Sequence, residues 1–279
     1  LPRWALLGEL LVAAGSLASC LGGCNVQTAE SPYPVAADPA FTVTAITLPL
    51  PLDQPQPVNP VITITLSDLP DPDTVQFPTI QLGLRGQSVQ YIVSSISLAA
   101  RQLTIKPRSE LLPESDYFVQ IGQSLRALSG QSLAQPGSGR FHTGSFLQPT
   151  PPVPDPVSLS GLLSDPAGLK ARCGLVGCHS SRDAGGGTTA TAAQGLDFSL
   201  PSSALAPYLT TTVGAGSLEG LLLVRPGAPE RSYLIRKLVA ATGFARISGA
   251  PMPPPEGTPP LDAAILQSLE VWIRQGAQP

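Results

Sequence analysis

The clearest regularity in the chain is the alternation at Val61 to Leu66, VITITL, where Ile62, Ile64 and Leu66 interleave with Thr63 and Thr65. A period of two places the apolar set on one face of a strand and the hydroxyls on the other. Related runs occur at Phe41 to Leu48, Thr79 to Leu84, Val89 to Val93, Gln102 to Ile105, Tyr117 to Ile121 and Arg140 to Thr143. Short strands of this kind, separated by turn residues, predict an antiparallel sandwich over residues 41–146. Leu111, Pro113 and Tyr117 stand as L-x-P-x-x-x-Y. A tyrosine that enters a strand behind a proline-marked turn predicts a tyrosine corner, its hydroxyl pinning the chain between sheets.

The alternation stops at Gln148 to Val157, QPTPPVPDPV, where five prolines disfavour helix and remove sheet donors. Residues 147–157 therefore read as a stiff, extended linker. From Ser158 onward the pattern lengthens toward a helical period. Ser164, Asp165 and Pro166 predict the start of a short helix running to Arg172. Leu261 to Gln275 places Ile265, Leu269, Trp272 and Ile273 on one face of a second helix, with Gly276 as its stop. The fold class expected is thus two domains, an all-β N-terminal sandwich and a mainly α C-terminal domain over 158–279.

Ahead of the sandwich, Trp4 to Ala18 is apolar, follows Arg3 and contains Glu9. It is shorter than the ~20 residues a membrane-spanning helix needs and reads as the core of a signal peptide over 1–24. Leu17-Ala18-Ser19-Cys20 and Leu21-Gly22-Gly23-Cys24 each resemble a bacterial lipobox. Cys20 or Cys24 is accordingly the expected lipidation site, and residues 25–40, rich in proline and small side chains, the expected tether. The protein is then exported, lipid-anchored and located at the bacterial outer membrane or in the periplasm, with the membrane as a partner through that anchor.

Composition narrows the picture. Of 279 residues 42% are hydrophobic and 13% charged, too apolar for a disordered chain despite 32 prolines. The formal net charge of −3 supplies no polyanion-binding surface, so nucleic acid is not an expected partner. His142, alone in a closing strand, is given no chemical role.

The candidate chemistry lies at Cys173 to His179, CGLVGCH. Two thiols followed at once by a histidine are what covalent attachment of a c-type haem requires, although the usual spacing between the cysteines is two residues and here it is four. Gly174 and Gly177 would let the extra residues loop outward. A Cys173 to Cys178 disulfide is the competing reading in an exported protein. Zinc has only three nearby ligands, and a redox dithiol normally uses the shorter spacing. The single methionine, Met252, lies in GAPMPPP, a proline-rigid loop that could present its thioether as the distal haem ligand. Arg225, Arg231, Arg236, Lys237 and Arg246 lie between these two points and read first as surface charges.

Two resemblances add to this. With ITITL, LTIKP, LLPESDYFVQI, SLRALSGQSL and RFHTG in order, residues 41 to 145 resemble the bacterial Ig-like domains of surface and S-layer-associated proteins, which implies a spacer or contact module without chemistry. GLDFS at Gly195 to Ser199, VRPGAPERSYLIRKL at Val224 to Leu238, PMPPPEGTPPL at Pro251 to Leu261 and VWIRQGA at Val271 to Ala277 resemble the cytochrome c-like domains common in planctomycetes and myxobacteria. That resemblance implies one covalent haem c per chain, with Cys173 and Cys178 as thioether sites, His179 as proximal ligand and Met252 as distal ligand. It also implies electron transfer with redox partner proteins of the cell envelope, by a carrier and not an enzyme. The alternative is a non-haem surface adhesion or scaffold lipoprotein with a Cys173 to Cys178 disulfide.

Overall fold

The computed structural model describes residues 39–84, 86–150, 152–175, 178–182, 192–215, 217, 219–240, 251–253 and 259–279. Cys20, Cys24, the signal peptide, most of the tether and Arg246 lie outside them.

The N-terminal half forms eight strands: β1 (Val43–Thr47), β2 (Ile62–Leu66), β3 (Ile80–Leu84), β4 (Gln87–Val89), β5 (Tyr91–Ser97), β6 (Gln102–Pro107), β7 (Asp116–Ile121) and β8 (Gly137–His142). They make two four-stranded antiparallel sheets, in the orders β1-β2-β6-β5 and β4-β3-β7-β8. In β2 the residues Ile62, Ile64 and Leu66 are buried while Thr63 and Thr65 are only half-buried, as the period of two requires. Ile62 pairs with Ile105 and Ile64 with Leu103 across one sheet; Ile80 pairs with Ile121 and Leu82 with Val119 across the other. These inward side chains form one apolar core between the sheets.

One expectation changes here. The run read as a single strand over Val89 to Val93 is two strands, β4 in one sheet and β5 in the other, with the chain crossing between layers at Gln90. Continuous alternation conceals such a crossing, because each half is correctly patterned for its own sheet. The tyrosine corner is present: the Tyr117 hydroxyl accepts the Leu112 N–H at 2.8 Å, and Tyr117 stacks on Phe141.

The C-terminal half contains α1 (Leu159–Ser164), α2 (Leu169–Cys173), α3 (Ser202–Thr211), α4 (Tyr233–Ala240) and α5 (Ala263–Arg274). The helix expected from Pro166 to Arg172 starts later, as α2, and α1 ahead of it was not expected. Ser158 caps α1 through its hydroxyl, Asp165 ends it, and α2 starts only after Gly168. Ser164-Asp165-Pro166 is thus a stop and not a start, and a proline just past a helix end fits that role. α5 matches its expected span, and Gly276 follows it at φ +102°. Leu205, Leu209, Ile235, Leu238, Leu269, Trp272 and Ile273 build the core shared by these helices.

The two halves are not separated by a free spacer. Leu69 and Leu98 of the sandwich are fully buried within the helical core, with Ile96, Ala99 and Leu128 packed beside them. The proline segment over 152–157 is irregular but held. Gln275 accepts from the Val157 N–H at 2.9 Å and donates to the carbonyls of Pro154 and Asp155.

Candidate functional site

The cysteine-histidine segment begins where α2 ends. Leu169 and Cys173 are four residues apart, so both lie on the buried face of that short helix. Gly174 follows, with its N–H on the Lys170 carbonyl at 2.9 Å, and a side chain there would meet that oxygen at 2.7 Å. The Cys178 N–H bonds the Leu175 carbonyl and the His179 N–H bonds the Cys173 carbonyl at 3.1 Å, drawing Cys178 and His179 back onto the end of α2. Cys173 is buried and Cys178 half-buried, both as thiols and not as a disulfide.

His179 is 9% exposed. Its Nδ1 lies 3.2 Å from the Ala193 carbonyl and 3.3 Å from the Leu196 carbonyl. Both partners only accept, so Nδ1 carries the proton and Nε2 the lone pair. Burial pushes its pKa below the usual imidazole range; the two backbone bonds oppose that shift and the Lys237 charge assists it. The ring is therefore neutral at pH 7. Phe198 meets it edge-on at 6.0 Å.

A clasp fixes the segment from behind. The His179 carbonyl accepts the Phe198 N–H at 2.8 Å, and the Cys178 carbonyl accepts the Ala193 N–H at 2.7 Å. Asp197, buried, accepts from the N–H and hydroxyl of Ser181 and from the N–H and hydroxyl of Ser199. Burial works against its charge, yet these donors outweigh it and hold the carboxyl below its ordinary pKa. Asp197 was visible as part of GLDFS, but its pairing with Ser181 was not.

Met252 is half-buried, and its N–H bonds the Lys237 carbonyl at 3.1 Å. The backbone of Lys237 on α4 thus holds Met252, and the Lys237 charge also lowers the pKa of His179. Lys237 lies over the Tyr233 ring at 5.4 Å, and burial pushes its pKa down to about 8. Of the cations read as surface charges, Arg225 is exposed and Arg231 partly so. Arg236 is not: it is 8% exposed and bridges to Glu219 at 2.7 Å. Among the described residues no three of His, Cys, Asp and Glu converge on a point that could hold a bare metal ion. His142 is partly exposed, with Nδ1 2.9 Å from Asp116 and Nε2 3.4 Å from Glu114.

Residues 37–143 match the bacterial Ig-like domain family. The match spans the whole sandwich and stops before the linker. No curated protein matches the chain. Among solved structures, native alpha-2-macroglobulin from Escherichia coli, in a crystal structure spanning domains MG0-NIE-MG1, is similar at 18% identity and a TM-score of 0.29, covering 39% of this chain and 33% of that one. The surface layer protein SbsC, domains 1–6, is similar at 14% identity and a TM-score of 0.31, covering 44% of this chain and 15% of that one. The N-terminal part of SbsC gives 13% identity and a TM-score of 0.30, over 54% and 32% of the respective chains. The chain spans a third or less of each of these proteins.

Proposed function

We propose that this chain acts at the bacterial cell surface as a non-catalytic scaffold, an Ig-like sandwich with a helical module seated against it. The observation that carries this reading is the Ig-like sandwich itself, matched over its full length. No helix among the described residues is long and apolar enough to cross a membrane. Attachment in this reading runs through a lipid on Cys20 or Cys24. In this reading Cys173 and Cys178, separate thiols in the structure, close as a disulfide in the oxidising envelope. The test is alkylation of the purified native protein under denaturing conditions, with and without reductant. Two thiols that become reactive only after reduction support the scaffold. Two cysteines that resist alkylation in both cases contradict it, since thioethers behave so.

A second reading is favoured by one observation, the orientation of His179. An imidazole whose Nδ1–H is held by backbone carbonyls, with Nε2 left as donor atom, is what a haem ligand needs. The donor set fits a covalent haem c in kind: Cys173 and Cys178 would hold it as thioethers, and Nε2 of His179 and the Met252 thioether would be ligands to its iron. When bound, the haem supplies a one-electron couple whose potential Met/His ligation raises. The chain's own part is to fix the imidazole tautomer through Ala193 and Leu196 and to hold the turn through Asp197. Electron exchange would then be with redox proteins of the envelope. Expression in a host with a c-type maturation system, followed by a reduced-minus-oxidised absorption spectrum, tests it. Haem bands that survive denaturation support it, and their absence removes it.

A further inference from the structure

We propose that the two modules are locked into one rigid body by a carboxylate latch, in which Glu270 on α5 grips the turn between β5 and β6. Glu270 is 2% exposed, on the face of α5 that also buries Leu266, Leu269 and Ile273. A carboxylate at such a site is costly unless its oxygens are met by donors. The donors here come from the other module. The Ser97 hydroxyl lies 2.6 Å from Oε2 and the Ala99 N–H lies 3.0 Å from Oε1, and the neighbouring Leu98 amide also favours the charge. Direction is fixed, because Ser97 Oγ already accepts the Ala100 N–H at 3.0 Å and so turns its own proton toward Glu270. The Arg274 guanidinium, one turn further along α5, stands 4.0 Å from the same carboxylate.

The latch reads backbone, and backbone amides converge in this way only when the turn has its native shape. The turn also carries Leu98, which is fully buried in the helical core beside Leu69. A second tie lies apart from it, where Arg231 bridges to Asp73 at 2.6 Å. The third is the Gln275 clamp on the linker, just past the end of α5. Attachments through separate residues resist rotation as well as separation. The sandwich is therefore a fixed mount for the helical module and not a swinging spacer, and the α5 surface around Glu270 is closed to other partners.

The test uses the full chain and hydrogen exchange of the turn amides, with X-ray scattering for the relative placement of the modules. In Glu270→Ala, exchange of the Leu98 to Ala100 amides should rise roughly ten- to hundredfold, as expected for losing a bond to a charged acceptor. The amides of β2 should stay protected, and the scattering envelope should broaden. Glu270→Gln retains an acceptor for Ala99 and should stay close to the parent. Should Glu270→Ala fail to fold, Ser97→Ala makes the same test from the sandwich side with a smaller rise. Unchanged turn exchange in both variants, or parent modules that tumble independently by NMR relaxation, would overturn the proposal.

Discussion

Asp197→Asn is the most informative substitution behind the cysteine-histidine turn. The Asp197 carboxylate accepts four hydrogen bonds from Ser181 and Ser199, two of them from backbone amides. Asparagine is nearly the same size and keeps one oxygen, so packing is conserved while the charge is lost and an NH2 faces the Ser181 hydroxyl. A hydrogen bond to an ionised acceptor contributes about 1.5–3 kcal/mol and one to a neutral acceptor about 0.5–1.5 kcal/mol. With one bond disrupted and three weakened, and with such terms short of additive, the expected loss is about 2–3 kcal/mol. Urea unfolding reads this as a lower midpoint at unchanged slope. The sign with pH follows from the lowered pKa. The carboxylate's contribution is present above its unfolded value of 3.8 and fades as pH falls through the folded value. The gap between parent and variant should therefore be full at pH 7 and shrink in strong acid. Because Asp197 restrains Ser181, two residues beyond His179, alkylation of reduced Cys178 should also be faster in the variant. Equal midpoints at pH 7 and equal alkylation rates would refute the clasp.

Three further outcomes are expected. Tyr117→Phe removes the acceptor for the Leu112 N–H and should lower stability by about 1–2 kcal/mol in a denaturant titration, with the fold intact by circular dichroism. Burial raises the Glu270 carboxyl pKa, so its contribution is greatest in acid and is lost as pH rises through the folded value. Glu270→Gln should flatten that slope above pH 4.5, and an unaltered slope would show that the carboxyl does not titrate there. Hydrogen bonds donated by the imidazole to Asp116 and then Glu114 raise the His142 pKa. NMR titration should place it above 6.5, with a drop in Asp116→Asn.

Much of the sandwich was legible because its determinants are local. Ile62, Ile64 and Leu66 alternate within six residues, and Tyr117 reaches back only five residues to Leu112. The α5 span was legible for the same reason, through the spacing of Leu269, Trp272 and Ile273. What escaped notice is non-local. Glu270 reads as a solvated position on an amphipathic helix, and only a turn 171 to 173 residues earlier makes its burial tolerable. Arg236 looked like a surface cation until Glu219 was placed beside it. The sheet change at Gln90 left no mark, since both strands keep their alternation. At the site, the closeness of Cys173, Cys178 and His179 followed from sequence. The carbonyls that set the His179 tautomer come from Ala193 and Leu196, whose positions no spacing rule reveals.

The cell-surface scaffold is tested most directly by asking where the sandwich stands. An epitope inserted at Gly130, an exposed turn with open space around it, leaves both sheets intact. Antibody labelling of intact bacteria, compared with permeabilised ones, is the measurement. The account predicts full labelling of intact cells, with no gain on permeabilisation. Labelling that appears only after the envelope is opened would contradict it.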